Sequence, residues 1–531
     1  MTFSGVLQVT DLDDFIGASQ ACIKPVEVKK DENAKESTIK RDGLNYYEVS
    51  VDGTETQLEA AKITLNDCLA CSGCITSAES ILVASQSHQD VYTALAGNAS
   101  CDPVDRKTIV ISLSPQSRAS FAAKYNLSPL SVHKRLVSFF VHSLGCDYVV
   151  DASFARDFSL VEGAREFVRR YRSVNGSAVA GSSVLPMLAS ACPGWICYAE
   201  KTHDYILPNI STTKSPQQVM GTLLKTYVAS ALGLQSMANL YHVSVMPCYD
   251  KKLEASRADF YNDVFRTRDV DTVITTGEVE RMLREKGVSL PDLPESPLPS
   301  LLTRALDSSA AERADVMDVE EEHGVELTGT EGSSSGGYLS YTFRYAAREL
   351  FGVHLSPADV EAGAASAQLD AEGRPAWSVL VKPGRNVDFG EMVLRVGEEE
   401  VLRFAKAYGF RNIQNLVRKA KPVSAAGIGP IRGIRSSRMR ATKEGSDVHH
   451  FVEVMACPSG CINGGGQLKP DVFDANGVAV DSGPASKDYV NHAEAVNWLG
   501  GIDSEKSREL LHTQYHAISK LTEVNGLNVK W

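Results

Sequence analysis

Cysteine placement constrains this chain more than any hydrophobic pattern, because eight of its 11 cysteines fall into two groups. Asp67 to Cys74 reads DCLACSGC, so Cys68, Cys71 and Cys74 follow one another with two-residue gaps. One tight turn can aim three such thiolates at a common centre, and a cysteine from elsewhere completes a tetrahedral set. Cys22, upstream and followed by Pro25, is the natural fourth member. The set suits a 4Fe–4S cluster, with structural zinc as the alternative. Three cysteines in one run are more typical of cluster binding than of paired zinc knuckles.

The remaining chemistry narrows the class. The N-terminal stretch MTFSGVLQVTDLDDFIG carries three aspartates and no basic residue, unlike a secretory or Arg-rich targeting leader. Thiols are therefore expected to stay reduced, and metal ligation explains so many of them better than disulfides do. No apolar run approaches the roughly 18 residues that a membrane span needs. With a formal charge of −12, the chain shows only one basic cluster, Arg432 to Arg440, which reads as a solvated loop. No nucleic-acid surface is expected. A hydrophobic content of 43% supports a sizeable core, and 531 residues amount to roughly three domains.

From Lys107 onward, strand-like and helix-like stretches alternate. KTIVISLSP and DYVVD read as buried strands, while LSVHKRLVSFFVHSLG and FSLVEGAREFVRRY carry apolar residues at helical spacing. Such units predict an α/β fold with a parallel sheet covered on both faces. SSVLPMLAS, LYHVSVMP and HHFVEVMA are three further strands, each followed closely by a cysteine: Cys192, Cys248 and Cys457. Ligand sites in open α/β sheets lie beyond the carboxyl ends of strands, so these cysteines are expected to converge. Cys461 joins them through the motif MACPSGCINGGGQ. Prolines beside Cys192, Cys248 and Cys457 stiffen their loops. Gly464, Gly465 and Gly466 would let backbone approach a bulky cofactor and donate N–H groups to its sulfurs. Lys251 would offset its negative charge. From about Leu290 to Tyr338, Pro, Ser, Gly and Glu dominate, and a flexible insert is expected there.

SACPGW, KSPQQVMG, MPCYDKKLEA and EVMACPSGCINGGGQ, in this order, resemble the catalytic domain of iron-only hydrogenases. The resemblance implies an iron-only hydrogenase-like, two-lobed parallel-sheet domain with a small N-terminal iron–sulfur domain. It implies that Cys192, Cys248, Cys457 and Cys461 hold a 4Fe–4S cluster. In hydrogenases the cysteine matching Cys461 also bridges to a di-iron subcluster, whose ligands the lysine matching Lys251 contacts. Hydrogenases place a proton-passing cysteine immediately before the one matching Cys192, and here that position is Ala191. A methyl group carries no proton. The single N-terminal cysteine group is a second departure. Both departures resemble the cytosolic iron–sulfur assembly factors of the Nar type.

That resemblance implies a non-enzyme with two 4Fe–4S clusters, linking an early scaffold to a late targeting complex for cytosolic and nuclear apoproteins. An active hydrogenase and a redox carrier are the alternatives. A cytoplasmic location is expected, with the nucleus left open. The terminal Trp531 resembles the tail that engages the targeting complex, although Lys530 replaces the usual acidic residue. The expected domains are residues 1–105 for the first cluster, 106–289 and 341–531 for the two lobes, and 290–340 for the insert. Cys101, Cys146 and Cys197 fall outside both groups, and no histidine spacing suggests a ligand or a catalytic base.

Overall fold

In the computed structural model, residues 37–42, 45–50 and 55–58 are described as strands, followed by 82–102, 105–175, 184–298, 301, 334–366, 376–384, 386–420, 449–468, 472–473, 479–480 and 513–515. Cys22, Cys68, Cys71, Cys74 and the terminal Trp531 lie outside the described residues.

The chain divides into two compact units, Met1–Ala84 and Ser85–Trp531. In the first, β1 (Ser37–Asp42), β2 (Asn45–Ser50) and β3 (Glu55–Leu58) form an antiparallel sheet. The division falls well before residue 105 because the helix His88–Ser100 belongs to the second unit. Its Val91 is fully buried among Ile109, Phe121 and Val149.

The second unit is built on two sheets. Strands β4 (Thr108–Leu113), β5 (Tyr148–Asp151), β7 (Leu240–Met246) and β10 (Thr272–Thr275) form an all-parallel sheet in the order β10-β7-β4-β5. Their β-branched runs are buried almost throughout, as strands covered on both faces require. A short antiparallel pair, β8 (Tyr261–Asn262) and β9 (Thr267–Arg268), precedes β10.

The other sheet has the order β11-β12-β13-β14-β15-β6. Here β6 (Met187–Ala189), β14 (Glu399–Tyr408) and β15 (Phe451–Met455) run parallel, while β11 (Ala365–Ser366), β12 (Trp377–Pro383) and β13 (Phe389–Val396) extend it as an antiparallel meander. Strand β6, expected in the first lobe by its place in sequence, thus pairs with β15 in the second. The 23-residue helix α1 (Ser153–Asn175) serves both cores. Ala155 packs with Val110 and Val150 of the parallel sheet, and Phe167 meets Phe404 and Phe451 of the mixed one.

Both ends of the expected 290–340 insert are folded. Leu290 is buried in the parallel-sheet core, and Ser334 and Ser335 are buried ahead of the helix Tyr338–Phe351. Residues 302–333 lie outside the described residues, and at 334–337 the serines and glycines are packed rather than solvated.

Candidate metal centre

The carboxyl ends of β6, β7 and β15 carry the cysteine loops. After β6, the Ser190 hydroxyl donates to the Val454 carbonyl at 2.5 Å and accepts the Cys192 N–H at 3.0 Å. Cys192 then caps α2 (Pro193–Thr202), whose first residue, proline, gives up no needed donor. The Cys192 sulfur receives the backbone N–H of Ala456 at 3.4 Å. After β7, Pro247 leads to Cys248 and then to α3 (Asp250–Ala255). After β15, the turn Cys457–Gly460 closes with the Gly460 N–H on the Cys457 carbonyl and delivers Cys461, whose N–H bonds the Ser335 hydroxyl.

The four thiols lie within electrostatic reach of one another. Burial pushes the Cys248 thiol well above its ordinary range, helped by Asp250 and by Cys457, Cys192 and Cys461. Cys457 is raised well above as well, by burial and then by Cys192, Cys461 and Asp250. Cys461 is pushed up to about 12 by burial and Cys192, while Lys251 and Ser335 pull it back. Cys192 is raised by burial and Asp250, against the Ala456 N–H and Lys251. Four mutually repelling thiolates therefore need a cation to stay ionised together, as ligated thiolates do. All four are free cysteines. Among the described residues, no group of three or more His, Cys, Asp or Glu is arranged as a site for a metal ion. As a donor set, soft thiolates with N–H groups on sulfur fit an iron–sulfur cluster.

Residues 107–465 match the family model described as the iron-only hydrogenase large subunit, C-terminal domain. The chain is 46% identical to the cytosolic Fe–S cluster assembly factor narfl of Xenopus tropicalis, over 100% of this chain and 99% of that one. It is 47% identical, over the same shares, to the cytosolic iron–sulfur assembly component 3 of Pongo abelii. Among solved structures, an apo FeFe-hydrogenase from Chlamydomonas reinhardtii superposes with a TM-score of 0.55 at 25% identity, covering 81% of this chain and 99% of that one. The chain belongs to the hydrogenase-like family of cytosolic iron–sulfur assembly factors.

Within this family fold, the expected cofactor contacts take particular forms. The Lys251 ammonium is buried and bonds the Glu254 carboxylate at 2.5 Å and the Ser215 hydroxyl at 3.1 Å. Gly464 and Gly466 meet protein rather than open space: a Cβ would lie 2.4 Å from the Pro247 carbonyl and 2.8 Å from the Thr275 side chain, respectively. Their N–H groups serve the Cys461 and Pro247 carbonyls, so the expected donation to cluster sulfur does not come from these two. They instead lock the Cys461 loop onto the Cys248 loop.

Ala191 borders a cavity of ≈ 30 Å³ with Cys192, Cys197, Glu254, Arg257 and Tyr515. Arg257 grips Glu200 through both terminal nitrogens, at 2.9 and 2.6 Å, and the Tyr515 ring lies 5.9 Å from its guanidinium.

Of the spare cysteines, Cys146 is buried in the core, Cys101 is exposed, and Cys197 is half-buried at the cavity. His449 meets Glu391 at 2.7 Å, and His450 accepts the Arg403 N–H at 3.0 Å, as satisfied polar residues should. Ser190, Asp250 and Ser335 were missed in the sequence. Asp250 stood in the quoted motif MPCYDKK, but the local sequence around Ser335 carries no signal of its role.

Proposed function

We propose that this chain is a component of cytosolic iron–sulfur protein assembly that carries two 4Fe–4S clusters. One is assigned to Cys22, Cys68, Cys71 and Cys74, and the other to Cys192, Cys248, Cys457 and Cys461. In this reading the chain works in the cytoplasm, with the nucleus a second candidate location. It stands between an early scaffold and a late targeting complex that serves cytosolic and nuclear apoproteins, with Trp531 as the candidate tail contact. The observation that carries the reading is the convergence of four thiols from three strand ends. The names of full-length relatives support the pathway.

When bound, such clusters supply iron, sulfide and one-electron chemistry. The protein's own share is to hold and shield: Ser190 fixes the Cys192 turn, and the N–H of Ala456 supports its sulfur. Two features favour a non-catalytic role: Ala191 stands where hydrogenases use a cysteine, and Lys251 is engaged by Glu254. Lys251 and Gly464–Gly466 remain assigned to the cofactor's surroundings, the lysine through its charge and the glycines through loop packing.

Depleting the protein in cells tests this. A cytosolic 4Fe–4S enzyme should lose activity while a mitochondrial one keeps it. Equal loss in both compartments, or hydrogen evolution by the purified chain, would contradict the proposal.

A further inference from the structure

Ser335 enters the metal centre from a stretch whose composition suggests only a linker. Ser334 and Ser335 are 2% and 3% exposed, immediately before the helix Tyr338–Phe351. The Ser335 oxygen accepts the Cys461 N–H at 3.1 Å. One buried hydroxyl thus holds the backbone of a single ligand cysteine.

The surrounding packing is built to admit it. Gly460 has φ +83°, and a Cβ there would lie 2.2 Å from the Ser335 oxygen and 2.5 Å from the Ser334 oxygen. A residue with a side chain at 460 would expel the serines. On the far side, the Leu339 N–H donates to the buried Glu453 carboxylate at 2.8 Å, whose other oxygen accepts the Tyr408 hydroxyl at 2.9 Å. The helix that follows Ser335 is thereby tied to β15, the strand that leads to Cys457 and Cys461.

We propose that Ser335 is a positioning residue of the second cysteine quartet, holding the Cys461 backbone so that its thiol stays on the cluster held there. The inference rests on the cluster assignment made above. A ligand loop fixed from outside keeps its sulfur in place, and removing such a support typically weakens metal retention roughly 10-fold or more. Ser335 supplies this support through a side chain, so its effect can be removed.

The test is chelator-driven iron release from the anaerobically purified full chain, with the remaining cluster followed by EPR, alongside S335A, S335T and S334A. S335A should keep the wild-type iron content but yield iron to the chelator roughly 10-fold faster. S334A should track the wild type, and S335T, which keeps the hydroxyl, should restore the wild-type rate. If S335A folds but loses the second cluster and S335T regains it, the positioning role is equally supported. A wild-type release rate in S335A would overturn the inference. Cys461→Ala separates the two claims: if it costs no iron, the cluster assignment itself fails, and the role of Ser335 falls with it.

Discussion

The two sheets of the larger unit reach the same site with different interiors. The parallel sheet has a polar seam through its core. His242 is fully buried, 2.8 Å from the Ser112 hydroxyl and 3.0 Å from the Asp269 carbonyl. Beside it, the buried Lys225 ammonium bonds Asp271 at 2.7 Å and Thr267 at 2.9 Å. The mixed sheet is held by aromatic packing: Phe404 stacks on Phe451 at 4.8 Å, with Phe167 and Phe343 edge-on to Phe404 at 4.9 and 5.2 Å. The polar lobe delivers Cys248 alone, and the aromatic lobe delivers Cys192, Cys457 and Cys461. A site shared in this way depends on both interiors, and each can be attacked by its own chemistry.

The largest effect should come from the aromatic side. Phe404→Ala empties the centre of the ring cluster and should cost about 3–5 kcal/mol, read as a lower midpoint in denaturant unfolding. On the polar side, Asp271→Ala leaves the Lys225 charge buried with only neutral partners. A loss of about 3 kcal/mol is expected, because stranding one member of a buried pair costs more than the pair contributes. The double variant tests whether the lobes are energetically separate: additive losses mean separate cores, and a shortfall means that the shared helix Ser153–Asn175 couples them.

Acid should discriminate between the lobes more gently. Burial holds the His242 imidazole down to about 3, with Lys225 adding to the effect against the Asp269 carbonyl. Burial likewise holds His133, in the same lobe, down to about 4. In the mixed lobe His450 is also held near 4. Each is neutral in the fold and binds a proton more readily when unfolded. Their stability contribution is therefore present above the ordinary value of 6.5 and is lost as pH falls from there toward 4 and 3. With two such groups against one, the parallel lobe should lose hydrogen-exchange protection first between pH 6 and 4. His242→Asn should flatten that slope.

The smallest effect belongs to the rim of the mixed sheet, where Arg395 and Arg403 hold the Glu400 carboxylate down to about 2. Arg395→Ala should cost less than about 1 kcal/mol, since both partners are partly exposed. That contribution should disappear only as pH falls from about 4.5 toward 2.

The strand ends were legible because buried parallel strands write continuous apolar runs, and cysteines followed three of them. The meander β11–β13 was not, since Trp377–Pro383 is largely half-exposed and mixes charge with apolar residues, so it reads as surface. The helix His88–Ser100 lies with the second unit, and nothing local reveals that its Val91 enters that core. Ser335 was hidden by composition, as a serine–glycine run looks the same whether it faces water or a buried N–H group. Lys251 was expected to offset charge near the thiols, but its partner Glu254 lies one helical turn away and only the fold aims them together.

The centre between the lobes is most directly tested by iron and sulfide analysis with Mössbauer spectroscopy on the anaerobic chain, beside Cys71→Ala and Cys461→Ala. The wild type should carry about eight iron atoms in two 4Fe–4S environments, and each variant should lose about half while keeping the other environment intact. Zinc in place of iron at the N-terminal group, or a Cys461→Ala chain with its full iron complement, would contradict the account.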